Sequence, residues 1–288
     1  MRPPAVAGQF YAGSESSLRE QIEWCYLHRI GPGEIPRVKP GPRRILGLVS
    51  PHAGYSYSGP VAAHGFSSLA ADGKPDSFVL IGPNHYGIGS GVSIVTSGKW
   101  STPLGEVEIN GSLAKAIMNA SEILDEDEVA HSHEHSIEVQ LPFLQYLFGG
   151  NFKIVPICMM MQDEETSRDV GLAIAEGISG RDVVVIASTD FTHCGPAYGQ
   201  IPPSGKRVDE FAEEQDRRAI GEIVRLNPEG LFRVVKEHHI TMCGYGCVAA
   251  MLFAVMERAE RGELLRYATS YDIAPGSNAV GYGSIVIR

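Results

Sequence analysis

Unbroken apolar runs alternate along this chain with amphipathic stretches. Ile45 to Val49, Phe78 to Ile81 and Val183 to Ala187 are short and rich in β-branched residues, the pattern of strands buried on both faces. Phe152 to Ile157 is a fourth run of this kind. Helical spacing takes over elsewhere. Leu18, Ile22 and Tyr26 follow a capping Ser14 in a helix reaching about Leu27, and Ile137, Leu141, Leu144 and Phe148 share another face. Val208, Phe211, Ala219, Ile223 and Leu226 form the apolar side of Gly205 to Leu226. Further helices are predicted over Gly59 to Ala70, Gly111 to Ala120, Glu164 to Ile178 and Pro228 to Lys236. Cys243 to Ala259 is apolar on more than one side and reads as a buried helix. Pro142 is expected to kink its helix or begin a second segment.

Alternating apolar and polar residues mark Gly91 to Thr96 and Glu106 to Asn110. They are predicted to pair antiparallel across a loop holding Trp100 and Pro103-Leu104-Gly105. Leu264 to Asp272 and Ala279 to Ile287 read as a terminal antiparallel pair around the turn cluster Pro275-Gly276-Ser277-Asn278. Residues 1–13 read as an extended arm, Gly31 to Pro42 as a surface connection, and Asp125 to Glu128 as a solvated face or loop. Strands alternating with helices predict an α/β fold: three layers, a mixed, mostly parallel central sheet and helices on both faces. No linker-like stretch divides the chain, so residues 1–288 are expected to form a single domain.

Composition narrows the function classes. Hydrophobic residues at 43% and charged ones at 20% suit a chain with a large buried core. A net charge of −10 argues against binding nucleic-acid phosphates or anionic lipid. No apolar run approaches the ~20 residues of a membrane span and no export signal opens the chain, so a cytoplasmic location is expected. Five cysteines in a chain of 288 residues form no disulfide framework, which agrees with a reducing compartment.

Three of the buried strands end in Gly/Pro-rich loops carrying histidine. Ser50-Pro51-His52-Ala53-Gly54 follows the first, with Gly54 and Gly59 expected to turn the chain around His52. Gly82-Pro83-Asn84-His85 follows the second, and Ser188-Thr189-Asp190-Phe191-Thr192-His193 the third. Ligands of open α/β sheets bind outside the carboxyl ends of strands, so His52, His85 and His193 are expected to share one cleft. Neutral imidazole is the commonest protein metal ligand. Asp190 can share an ion with His193 or orient it, or else cap a following helix. Cys243, at the expected amino end of a helix, is placed where a thiol's pKa falls, while Cys247 one turn later reads as packing.

Among His131, His133 and His135, the last adjoins the apolar helix face and is expected to enter the cleft, for support or proton transfer. His28, His64, His238 and His239 read as structural or exposed, and Tyr55 and Tyr57 as flanking the entrance. There is no Walker loop, no G-x-G-x-x-G after a strand and no G-x-S-x-G elbow, which counts against nucleotide-dependent and serine-hydrolase chemistry.

Taken in order, these motifs resemble the Memo family, also labelled AmmeMemoRadiSam system protein B in prokaryotes. The resemblance is carried by Arg2 to Tyr11, Ser50 to Gly59, Gly82 to His85, Glu134-His135-Ser136-Ile137-Glu138, Ser188 to His193 and Cys243-Gly244. The family in turn resembles class III extradiol (LigB-type) dioxygenases. By that resemblance His52, His85 and Cys243 take metal-ligand positions, with Asp190, His193 and His135 beside them. The resemblance implies iron(II) foremost, with copper or zinc admitted by a soft thiolate in place of the dioxygenases' carboxylate. It implies a redox role on a small molecule, alongside a radical-SAM protein and a further companion. Animal relatives resemble adaptors, so a module capturing a peptide or anion in the same cleft is an alternative. A hydrolase using Cys243 as nucleophile, with His193 and Asp190 as base and orienter, is another.

Overall fold

Neighbouring residues on the central strands enter opposite cores. Leu48, Phe78, Leu80, Val184 and Ile186 pack on one side of the sheet, while Val49, Val79, Ile81, Val185 and Ala187 pack on the other. Strand side chains point alternately to the two faces, so an unbroken apolar run serves two helical layers at once.

The computed structural model describes residues 1–288. In chain order the elements begin α1 (Glu15–Leu27), β1 (Gly47–Ser50), α2 (Tyr55–Asp72), β2 (Ser77–Pro83) and β3 (Val92–Ile94). Next come β4 (Lys99–Thr102), β5 (Gly105–Ile109), α3 (Gly111–Ala120), β6 (Asp125–Glu126), α4 (Leu141–Phe148) and β7 (Lys153–Met159). Then follow α5 (Glu164–Gly177), β8 (Val183–Ser188), β9 (His193–Cys194), α6 (Val208–Val224) and α7 (Pro228–His238). The chain finishes with α8 (Tyr245–Val255), β10 (Gly262–Thr269), α9 (Ser270–Ile273) and β11 (Ala279–Ile287).

The sheet runs β10-β11-β1-β8-β2-β7-β3-β6. Its centre, β1, β8, β2 and β7, is parallel throughout, and the flanking β11, β10 and β3 join it antiparallel. The mixed, mostly parallel sheet with helices on both faces is therefore present. Helices α1, α2 and α4 cover one face; α3, α5, α7 and α8 cover the other, with α6 at the side of β11.

The crossover from β1 to β2 and the one from β7 to β8 run in opposite directions across the sheet. Right-handed connections then put their helices, α2 and α5, on opposite faces. Strand β8 is inserted between β1 and β2, so the three histidine-bearing loops leave from adjacent strand ends. That is a topological switch point, where a crevice opens.

Three local expectations change. Helix α2 begins at Tyr55 rather than Gly59, with Gly54 as its N-cap and Pro60 inside it. Gly59 therefore makes no turn: it is a close-packing point, where a Cβ would meet Cys25 Sγ at 2.4 Å. The antiparallel hairpin is β4 with β5, closed at Thr102↔Gly105, while β3 joins β7 in the main sheet. Trp100 is a buried residue of a strand rather than part of a loop, and Gly105 supplies the positive φ (114°) at the turn. Finally, β10 stops at Thr269, whose N–H and hydroxyl both donate to Asp272 to start α9. Pro142 begins α4 after a short 3₁₀ turn, Glu138–Gln140, the second of the outcomes expected for it. No helix is long and apolar enough to cross a membrane.

Candidate metal centre

The loop after β1 is pinned to the loop after β8. Asp190 Oδ1 accepts the backbone N–H groups of His52 (2.9 Å) and Ala53 (3.3 Å). So Asp190 does cap a turn, but that of the neighbouring strand rather than a helix of its own. Behind the ring, Ser188 Oγ donates to the carbonyl of Ser136 (2.6 Å) and accepts from Gln140 Nε2 (2.9 Å). Its remaining lone pair faces His52 Nδ1 at 2.9 Å, which makes Nδ1 the protonated nitrogen. His52 Nε2 is left as a bare acceptor.

His85 is held in the same way by Glu134. Its backbone N–H donates to Oε2 (2.6 Å) and its Nδ1 to Oε1 (3.0 Å), so Nε2 is again free. The same carboxylate takes the N–H groups of His135 and Ser136, both at 2.8 Å. Burial by itself would raise the Glu134 pKa, but the bonds from His85 and the nearby imidazoles outweigh it and bring it down to about 2. Gly82 lets this segment close in, because a Cβ there would lie 2.4 Å from Ser136 Oγ.

Cys243 arrives from the opposite layer. Its Sγ stands 3.2 Å from His52 Nε2 and accepts the Asp190 N–H, also at 3.2 Å. Gln162 clamps its turn, donating to the Cys243 carbonyl and accepting the Gly246 N–H, each at 2.9 Å. The thiol is not acidified by α8, as the sequence had suggested. Burial, and then the Asp190 carboxylate, push its pKa up, and the residue lies just outside the helix, ahead of its cap Gly244.

His193 Nδ1 donates to the Thr241 carbonyl (3.0 Å), its N–H goes to Thr241 Oγ1 (2.8 Å), and its ring meets Tyr198 edge-on. His135 stacks on His85 with ring centroids 4.7 Å apart and stands edge-on to His52 at 5.4 Å. Its buried Nδ1 lies 3.3 Å from Glu134 Oε1 but is not aligned for a hydrogen bond, and burial first of all brings its pKa down to about 4. Burial likewise lowers the pKa of His52 and raises that of Asp190, the latter opposed by His193. His131 leaves the cleft altogether: it is buried beneath Trp100, bonded to Ser93. His133 is exposed. Tyr55 is not at the entrance but in the core, donating to the Val139 carbonyl, whereas Tyr57 does line the cleft.

All six expected residues are thus near one opening, a cleft of about 860 Å³; His52, His85, His135, Asp190 and His193 line it, with Cys243 beneath. Tyr57, Tyr86 and Tyr198 stand at its exposed rim. One ligand atom each from His52, His85 and Cys243 falls within 4.8 Å of the others. Ion–ligand bonds are about 2.0–2.3 Å, so one transition-metal ion spans such a set with small adjustment. Two imidazoles with their outer nitrogens fastened, plus a sulfur beside them, fit a metal by donor chemistry as well as by spacing.

Comparison with known proteins places the chain in a family. A family model described as "Memo-like protein" matches residues 2–286. The chain belongs to the Memo family. A MEMO1 family protein of Methanopyrus kandleri is 47% identical, covering 100% of this chain and 99% of that one. One from Methanothermobacter thermautotrophicus is 50% identical over 99% of both chains, and one from Sulfolobus acidocaldarius is 48% identical over 99% and 98%. Among solved structures, the uncharacterized protein JW3007 of Escherichia coli K12 has a TM-score of 0.56 at 13% identity. It covers 85% of this chain and 100% of that one, a likeness of fold.

The Memo-family motifs in the sequence assign no role to Glu134, Ser188, Gln140, Gln162 or Thr241. Glu134 carries a usable signal, being a carboxylate between His133 and His135 at the start of the Glu-His-Ser-Ile-Glu motif. The others are ordinary polar residues whose partners lie in distant parts of the chain.

Proposed function

We propose that this Memo-family protein holds a transition-metal ion between His52, His85 and Cys243 and uses it in a redox reaction of a small molecule. The observation that carries the reading is the 3.2 Å approach of Cys243 Sγ to the bare Nε2 of His52, with His85 completing the set. The thiolate and two imidazoles suit iron(II) or copper, and zinc as a non-redox competitor. Such an ion, when bound, would supply electron transfer and charge stabilisation.

The chain's own residues would do the rest. A buried thiol whose pKa is pushed up resists ionising alone, so a cation is the natural replacement for its proton. The same fact counts against Cys243 as a free nucleophile, which needs the thiolate. His193, anchored through Nδ1, turns Nε2 toward the open cleft as a proton acceptor, while His135, its pKa lowered by burial to about 4, stays a neutral ring beside the ligands. Asp190 holds the His52 loop and lends negative charge beside the cation.

Elemental analysis of protein purified without oxygen tests the reading. About one iron or copper per chain is expected, lost on Cys243→Ala and on His52→Ala. Metal-free protein labelled selectively at Cys243 by a thiol reagent would overturn it in favour of a nucleophile. Peptide binding indifferent to metal removal and to Cys243→Ser would favour a capture module.

A further inference from the structure

The arm formed by residues 2–11 is fastened against the metal centre by buried polar groups that ion binding itself does not use. Besides the adjacent Pro3 carbonyl, Arg2 spreads its guanidinium over three distant acceptors: Nε to the His131 carbonyl (2.6 Å), one Nη to the Glu134 carbonyl (2.6 Å) and the other to Glu138 Oε2 (2.7 Å). The group also lies 4.1 Å over the Trp100 ring. Glu138 has no exposed surface on its side chain. Besides Arg2 it takes the N–H groups of Ala5 (2.8 Å) and Val6 (3.1 Å) and the Tyr11 hydroxyl (2.6 Å). The end of the arm reaches the site itself, for the Phe10 ring stands 4.5 Å from that of His135 and lines the cleft. Its carbonyl accepts the N–H of Tyr55 at 2.8 Å.

The two carbonyls held by Arg2 bracket residues 131–134, the segment that delivers the Glu134 carboxylate to His85. A planar guanidinium can hold both carbonyls and a carboxylate at once because its donors form a rigid fork. Glu138, four residues beyond Glu134, binds the rest of the same arm. Removing either partner leaves a buried charge without its counterpart, so the arm and this segment stay together or loosen together.

We propose that Arg2 and Glu138 are positioning residues of the metal centre: they lock the arm onto the Glu134–His135 segment and thereby hold His85 in ligating position. This inference rests on the metal-binding reading above. Coupling of this kind is reciprocal, so a bound ion must tighten the arm as much as a docked arm tightens the ion.

The test uses the full chain, titrated with cobalt(II) without oxygen and followed by the thiolate-to-cobalt absorption band. Arg2→Ala and Glu138→Gln are expected to weaken cobalt(II) binding about 10- to 100-fold, the range for residues that orient metal ligands, and to alter the band. Arg2→Lys keeps the charge but cannot reach both carbonyls. It is expected to melt close to the unaltered protein and still lose affinity, which separates positioning from stability. Arg19→Ala, in an exposed pair on α1, is expected to change nothing. In the unaltered protein, amide exchange at Ala5 and Val6 should slow when cobalt(II) is added, a readout that needs no variant. Equal affinity and an identical band in all variants, or arm exchange indifferent to cobalt(II), would overturn the coupling and leave the metal reading standing. An unaltered protein that takes up no cobalt(II) would overturn both.

Discussion

Glu134 grips His85 at two points, through the backbone N–H at 2.6 Å and through ring Nδ1 at 3.0 Å. A single bond would leave the imidazole free to swing about its side-chain torsions. Two bonds from one carboxylate fix both the loop and the ring, and they decide which nitrogen is offered to an ion. Glu134→Ala is expected to weaken zinc or cobalt(II) binding by about 10- to 100-fold, measured by competition with a chromophoric chelator. Glu134→Gln, which retains one acceptor oxygen, should lose less.

Ser188 plays the matching part for His52. Because its hydroxyl hydrogen is committed to the Ser136 carbonyl, it can only accept from the ring. In the metal-free protein, nitrogen NMR should find His52 protonated on Nδ1 and bare on Nε2. Ser188→Ala should mix the two tautomers and lower metal affinity by about tenfold. A His52 ring unchanged by that substitution would count against the assignment.

The packing of α1 on α2 turns on Gly59 and Cys25. A methyl group at Gly59 would sit 2.4 Å from Cys25 Sγ, and Cys25 is fully buried. Gly59→Ala is expected to cost about 1–3 kcal/mol, the usual penalty of overpacking, seen as a lower urea midpoint. Adding Cys25→Ala opens room for the methyl group. The double variant should therefore be more stable than the two single losses added together.

Asp216 on α6 gives the fold a dependence on pH. It is buried, with Oδ1 accepting the Thr192 N–H (2.9 Å) and Oδ2 the Tyr267 hydroxyl (2.7 Å). Burial pushes its carboxyl up to about 7 in spite of those bonds. The native state then keeps a proton that the unfolded chain releases near its ordinary value of about 3.9. This contribution is whole below about pH 4, declines as the pH rises, and is lost above about pH 7. Asp216→Asn keeps an acceptor for Thr192 and removes the titration. Urea unfolding at about pH 5 and about pH 8 should show a smaller drop for the variant than for the unaltered protein.

Much of the architecture was legible beforehand because it depends on neighbours in the chain. The helix Gly111–Ala120 matches its sequence pattern to the residue, and Ser14 caps α1 as its position implies. Errors arose where competing local patterns were settled by distant contacts. Tyr55 to Ser58 looked like a loop beside His52, yet Tyr55 is drawn into the core by Phe143 and the Val139 carbonyl and carries the helix with it. Gly91 to Thr96 alternates like a hairpin strand, but it joins the buried edge of β7, and Lys99–Thr102 takes the hairpin through a shorter turn.

Which residue types could ligate an ion, and that their loops leave from strand ends, followed from the sequence alone, since strand runs and turn residues are local properties. Which nitrogen each histidine presents did not, nor the rise of the Cys243 pKa. Glu134 acts on a residue 49 positions away, Ser188 on one 136 away and Arg2 on one 136 away. A proton's place on imidazole or sulfur is settled by burial and by the atoms within hydrogen-bond reach. Only the folded chain brings those atoms together.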